Sequence, residues 1–173
     1  MFFGSGIPAG KNPVEAGGPS IRGTLDLDLR LVKRVHTNKM HDAMLKGKSG
    51  GYPFDIKFVF NIACNHVNQL GDSNKAAAAL NSLDFMVVNE LFMTPTARYA
   101  DIILPVTTPA ERNDTTRPWP SGPYYAFINK AIEPLGESKS DFEIAAELAE
   151  RLGIKDFRPM SDDKYLRMFI EKN

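Results

Sequence analysis

Ile56-Lys57-Phe58-Val59-Phe60-Asn61-Ile62-Ala63, followed by Cys64-Asn65-His66-Val67-Asn68-Gln69-Leu70-Gly71, is the stretch whose reading decides the fold. The first eight residues are a compact run rich in β-branched and aromatic side chains, which predicts a buried strand. The next eight are polar and read as a loop. Asp72 or Ser73 can then cap a helix over 74–82, where four consecutive alanines favour helix. Phe85-Met86-Val87-Val88 is a second apolar strand, ending at Asn89-Glu90. Thr94-Pro95 has the form of a helix start, with Thr94 at the N-cap and Pro95 at the first helical position. Asp101-Ile102-Ile103-Leu104-Pro105 is a third strand, stopped by its proline.

Strand, helix, strand, helix, strand with short polar loops is the pattern of a parallel sheet covered by helices. The fold class is therefore α/β: a mainly parallel sheet flanked by helices, Rossmann-like or flavodoxin-like. Upstream, residues 1–23 concentrate glycine and proline and read as an extended segment. His41-Asp42-Ala43-Met44-Leu45-Lys46 reads as a short helix closed by Gly47, and Gly50-Gly51-Tyr52-Pro53 as a turn. Residues 1–54 are taken as an N-terminal segment of the same domain, and 55–173 as an α/β dinucleotide-binding domain. Downstream, 106–123 reads as a long polar surface loop, and 124–131 as a fourth strand. Ser140-x-x-Glu143 is a capping box before an amphipathic helix that runs through Leu152, with Gly153 just beyond its end. A last helix is expected over 162–172.

Composition narrows the function. The 173 residues carry 21 basic and 21 acidic side chains, so no net charge favours a nucleic-acid backbone. The 43% apolar fraction fits an ordinary globular core rather than disorder. A single cysteine, Cys64, excludes an internal disulfide and any cysteine-built zinc or iron–sulfur site within the chain. No apolar run reaches the roughly 18 residues of a membrane span. The start, Met1-Phe2-Phe3-Gly4-Ser5-Gly6, lacks a charged n-region and is not expected to be a signal peptide.

In a parallel sheet, ligands sit at the carboxyl ends of the strands. The loop after the first strand offers the amides Asn65, Asn68 and Gln69, which can bond a polar ligand or simply their own backbone. Asn89-Glu90 closes the second strand, where an acid commonly accepts from a ribose diol; a solvated surface acid is the plainer alternative. Arg112 can pair with a phosphate or a base, or else with Glu111 or Asp114. Asp141 lies in the first turn of a helix, where an acid complements the dipole by default. No G-x-G-x-x-G follows the first strand, which disfavours the nicotinamide and flavin versions of the fold. No Ser/His/Asp set, metal cluster or P-loop stands out.

The stretch from Asn89 to Pro105, with Thr94-Pro95-Thr96-Ala97-Arg98-Tyr99-Ala100-Asp101 at its centre and Glu111-Arg112-Asn113 after it, resembles the molybdopterin oxidoreductases of the dimethyl sulfoxide reductase family. Ala63-Cys64-Asn65-His66 resembles that family's Gly-x-Asn-Pro loop, without its glycine and proline. The downstream stretch from Glu133 to Asp141 also resembles the family, and the segment with Arg117-Pro118-Trp119 and Ser121-Gly122-Pro123-Tyr124 is most similar to the anaerobic dimethyl sulfoxide reductase catalytic-subunit branch.

The resemblance implies a bis(molybdopterin guanine dinucleotide) cofactor with molybdenum in the intact enzyme. It also implies that this segment is the third domain, which grips the guanosine end of one dinucleotide. Carried over by motif, the contacts are Asn65, Asn89, Glu90, Arg112 and Asp141. An iron–sulfur cluster would belong only to a more N-terminal part of such an enzyme, and no catalytic residue or metal ligand is expected here. The implied partners are the remaining domains of the catalytic subunit, an iron–sulfur electron-transfer subunit and a membrane anchor. Neither nucleic acid nor direct membrane insertion is expected, and an intact enzyme of this branch would be exported and membrane-associated. The expected function is a share in oxygen-atom transfer to or from a sulfoxide, an N-oxide or a sulfur oxyanion, with the isolated chain inactive. The alternatives are a non-catalytic guanine-nucleotide or pterin-binding module, such as a cofactor chaperone, and an FMN- or NAD-binding domain.

Overall fold

A computed structural model describes residues 35–116 and 126–155, together with 157, 161, 164, 166 and 167. These residues fall into two compact units, one ending at Val106 and the other continuing from Thr107.

The first unit is built on a three-stranded parallel sheet in the order β1 (Phe58–Ile62), β2 (Phe85–Glu90), β3 (Ile102–Pro105). Phe58 is level with Phe85, and Val87 with Ile102. The middle strand is buried on both faces, because Met86, Val87, Val88 and Asn89 are all shielded from water. Its apolar residues run without alternation for that reason. Met86 and Val88 join Met44, Ala79, Leu80 and Ala97 in the core, with Val59, Ile56 and Tyr99 packed around them.

Three helices accompany this sheet. Helix α1 (Met40–Lys46) buries His41, Ala43 and Met44. Gly47 follows it at φ +46°, where an added Cβ would lie 2.0 Å from Asp55 Oδ1. Only glycine fits there, as the sequence reading required. Helix α2 (His66–Gln69) is a single turn inside the stretch expected to be plain loop. Helix α3 (Ser73–Asn81) starts at Asp72, whose carboxylate accepts from Lys75 N–H at 3.0 Å. Ala76, Ala79 and Leu80 form its inner face, and the two small side chains let the helix pack close to the core. Asp42 ties α1 to α3 through an ion pair with Lys75 at 2.8 Å.

The expected helix with Thr94 at its N-cap is reduced to the 3-10 segment Ala97–Tyr99, whose N-cap is Thr96; the Thr94 hydroxyl accepts from Ala97 N–H at 3.2 Å in the turn leading into it. It stops early because Asp101 bonds back to β2. Asp101 N–H donates to the Met86 carbonyl and Met86 N–H to the Asp101 carboxylate, pulling the chain into β3.

The second unit contains a correction to the expected long loop over 106–123. Pro109–Glu111 is a 3-10 turn, and β4 (Asp114–Thr116) pairs antiparallel with β5 (Ala126–Ile128). The expected fourth strand is therefore shorter than 124–131 and belongs to a separate two-stranded pair. Helix α4 (Asp141–Arg151) has the expected capping box: Ser140 Oγ accepts from Glu143 N–H, and the Glu143 carboxylate accepts from Ser140 N–H. Gly153 sits at φ +70° just past its end, as read. The glycine- and proline-rich start, the Arg117-Pro118-Trp119 segment and most of the last expected helix lie outside the described residues.

Candidate cofactor-binding site

The carboxyl ends of β1 and β2 lie side by side, since Ile62 pairs with Asn89 and Ala63 N–H reaches the Asn89 carbonyl. The chain leaves β1 through Ala63 at φ +50°, a backbone conformation that disfavours a side chain. That turn is what swings Cys64 and Asn65 out of line with the strand. The family loop that this stretch resembles carries glycine at this position.

Asn65 Oδ1 accepts from the Thr96 N–H at 3.3 Å and from the Thr96 hydroxyl at 2.8 Å. The Thr96 hydroxyl in turn accepts from Val67 N–H at 3.0 Å. Gln69 Oε1 accepts from Asn65 N–H at 3.1 Å and from the Cys64 thiol at 3.2 Å. The loop from Cys64 to Gln69 is thus tied to itself and to Thr96. Asn61 adds a strut, its side-chain amide donating to the Cys64 carbonyl at 2.9 Å.

Asn89 is fully buried on β2, whereas Glu90 is half-buried at the strand's end. One carboxylate oxygen of Glu90 accepts from Leu91 N–H at 2.9 Å. Burial pushes the Cys64 thiol above its ordinary pKa, and the negative charge of Glu90 adds to this. Cys64 is therefore a neutral hydrogen-bonding thiol, not an activated nucleophile. His66 is buried rather than a surface loop residue. Its Nδ1 lies 3.3 Å from Cys64 Sγ, and burial together with His41 pushes its pKa down to about 4.

The other two expected contacts belong to the second unit. Arg112 pairs with Asp114 at 2.9 Å, and its Nη1 donates to the Thr107 carbonyl and hydroxyl. Thr107 N–H donates to the Lys139 carbonyl, two residues before Asp141 at the start of α4. Thr107 thereby links the Arg112 side chain to the approach of that helix. Glu111 is buried and clips the same region together, accepting from Thr108 N–H at 2.6 Å and Leu135 N–H at 2.8 Å. Asn113 adds a bond from Lys130 N–H.

Sequence reasoning singled out neither Thr96 nor Thr107. Both are buried threonines whose hydroxyl and backbone groups orient a neighbouring polar side chain. Nothing in their local sequence marks them; their partners are distant in sequence or lie across a turn.

The family model for molybdopterin oxidoreductases matches residues 11–151. A dimethyl sulfoxide/trimethylamine N-oxide reductase from Rhodobacter capsulatus is 31% identical over 94% of this chain and 21% of its own length. A trimethylamine-N-oxide reductase from Haemophilus influenzae is 39% identical over 61% of this chain and 13% of its own. Among solved structures, acetylene hydratase from Pelobacter acetylenicus superposes with a TM-score of 0.63 at 29% identity, covering 73% of this chain and 17% of that one. The chain thus spans about a fifth or less of the length of these relatives. With a matched region that includes both strand-end loops, the chain belongs to the molybdopterin oxidoreductase family.

Proposed function

We propose that this chain grips the guanosine end of a molybdopterin guanine dinucleotide within a molybdenum oxidoreductase. The observation that carries this reading is that the adjacent carboxyl ends of two parallel strands, where Ile62 is level with Asn89, lead into Asn65 on one side and end in Glu90 on the other. An amide there suits phosphate oxygens, and a carboxylate suits ribose hydroxyls. A second line of support is the spread of chemistries among relatives. Similar stretches occur in proteins named as reductases, as formate dehydrogenases and as acetylene hydratase. A segment shared across those reactions is suited to holding what they have in common, the cofactor, rather than to choosing the substrate.

In the second unit, Arg112 supplies a planar donor for a base or a phosphate, and Asp141 a carboxylate that can accept the two N–H groups of a guanine edge. Bound in the whole enzyme, the cofactor supplies oxygen-atom transfer at molybdenum, while residues of this chain bind and orient it. The substrate class favoured by the reductase relatives is a sulfoxide or an N-oxide. The remaining domains of a catalytic subunit, with an electron-transfer partner, complete this proposal.

Calorimetric titration of the chain with GDP and ADP tests it. Binding of GDP in preference to ADP is expected, with the preference lost in Asp141→Ala and overall affinity reduced in Arg112→Ala. Equal affinity for the two nucleotides, or none for either, refutes the assignment.

A further inference from the structure

The loop after β1 fixes the polarity of two amides. The Thr96 backbone N–H can only donate, and it points at Asn65 Oδ1. The Thr96 hydroxyl accepts from Val67 N–H, so its single proton is committed to the same Asn65 oxygen. On the other side of the loop, Asn65 N–H can likewise only donate, and it points at Gln69 Oε1. The Cys64 thiol donates to that oxygen too, and its raised pKa keeps the proton in place. Both carbonyl oxygens are therefore used inside the loop.

The opposite ends of these amides are Asn65 Nδ2 and Gln69 Nε2, neither of which has a hydrogen-bond partner among the described residues. Gln69 is exposed and Asn65 half-exposed, so both nitrogens are available to a ligand. An amide whose oxygen is engaged presents N–H groups alone. Such a pair accepts nothing from a ligand hydroxyl or amine, and it favours an anionic oxygen.

We propose that Thr96 is a positioning residue that locks Asn65 with its nitrogen outward, and that Asn65 and Gln69 together form a donor-only seat for a diphosphate. This rests on the reading of the chain as a dinucleotide grip, and adds to it Gln69 as a binding residue, Thr96 as the residue that sets polarity, and the ligand group they face. Glu90, whose carboxylate accepts from Leu91 N–H beside this seat, has the opposite polarity. A nucleoside diphosphate carries hydroxyls for the one and phosphoryl oxygens for the other.

Asn65→Asp and Gln69→Glu test the polarity directly. Each keeps the inward acceptor oxygen and replaces the outward NH₂ with a carboxylate oxygen. The probes are GDP, inorganic pyrophosphate and guanosine, titrated against the full 173-residue chain. Affinity for GDP and pyrophosphate is expected to fall about tenfold or more in either variant, the loss of a charge-assisted hydrogen bond with repulsion added. Guanosine affinity is expected to stay within about twofold, since that probe has no phosphate for the seat. Thr96→Val is expected to weaken diphosphate binding while sparing guanosine, and Thr96→Ser to restore it; a merely structural threonine would not separate the two probes. Two variants guard against one failing to fold. Undiminished or tighter GDP binding by a folded Asn65→Asp or Gln69→Glu chain overturns the inference. A wild-type chain with no affinity for GDP instead sinks the underlying dinucleotide reading.

Discussion

Ala63 holds φ +50° where the related loop has glycine, and this one residue shows how a sequence departure becomes a physical cost. A side chain in the left-handed region costs roughly 1–2 kcal/mol, of which glycine's greater freedom in the unfolded chain returns a part. Ala63→Gly is therefore expected to stabilise the first unit by about 1 kcal/mol, read as a higher urea midpoint at unchanged slope. A midpoint that stays put or falls means the turn is not strained. The companion departure, His66 where the related loop has proline, falls on the first residue of α2, the position at which proline is best tolerated. His66 is buried against Cys64 and the edge of the His41 ring, whose centroid is 6.3 Å away, and its folded pKa lies near 4, below the ordinary 6.5. The unfolded chain thus protonates first as pH falls. Stability drops from about pH 6.5 down to about pH 4, by on the order of 3 kcal/mol if the full shift is expressed. His41, also lowered by burial and then by Lys75, acts in the same direction. Melting temperatures measured from pH 7 to 4.5 should decline, and the decline should be shallower in His66→Gln. An equal slope in that variant would show that His66 contributes nothing to it. The loop residues were legible because their types and spacing resemble a known motif. The burial of His66 and the role of Thr96 were not, because both depend on partners brought in by the fold.

At the scale of elements, a signal that acts over three or four residues is legible where an apolar run follows it, and a signal that needs a distant partner is not. The Ser140–Glu143 box is local, so the start of α4 was visible in sequence. Removing its hydroxyl in Ser140→Ala should cost about 1 kcal/mol, seen as a lowered denaturation midpoint of the second unit. Thr108-Pro109-Ala110-Glu111 carries the same Thr-x-x-Glu pattern with proline at the first position, and it does form a capping box. No apolar run follows it, and the box closes a single turn rather than a helix. Asp114–Thr116 shows no apolar alternation at all, and it becomes a strand only through pairing with Ala126–Ile128. Glu111 gives this region a measurable signature. Hydrogen bonds from the Thr108 backbone and then the Leu135 backbone hold its carboxyl below the usual glutamate range. The carboxylate form favours the folded state, so its contribution is present above the unfolded pKa and disappears as pH falls through the lower folded value. The amide resonances of Thr108 and Leu135 should titrate together, with a midpoint below the ordinary 4.5. In Glu111→Gln that transition should vanish. Independent midpoints for the two amides would break the proposed clip.

The parallel sheet of the first unit has only three strands among the described residues, so two of the three are edges. Their apolar residues are not fully covered: Phe58 is 53% exposed, Ile62 50% and Ile102 44%. The loop after β2 adds Leu91, Phe92 and Met93, with Phe92 74% exposed. Single exposed apolar residues are ordinary, but a run of three at the same end of the sheet as the proposed diphosphate seat is not. The 43% apolar fraction predicted a good core, and the buried cluster around Met86 and Val88 provides one. Which apolar residues remain outside is set by the fold and not by composition. The two reductases compared above are each about five times its length, which leaves ample polypeptide to cover such a patch in a protein of that size. The isolated chain is therefore expected to self-associate at tens of micromolar, with light scattering that rises with salt as apolar association does. Phe92→Ser combined with Met93→Ser should lower that association while leaving the melting temperature nearly unchanged, since neither side chain belongs to the core cluster. A wild-type chain that stays monomeric at such concentrations would mean that the 91–93 loop is covered by the chain itself, and would favour a self-contained binding module over a part of a larger enzyme.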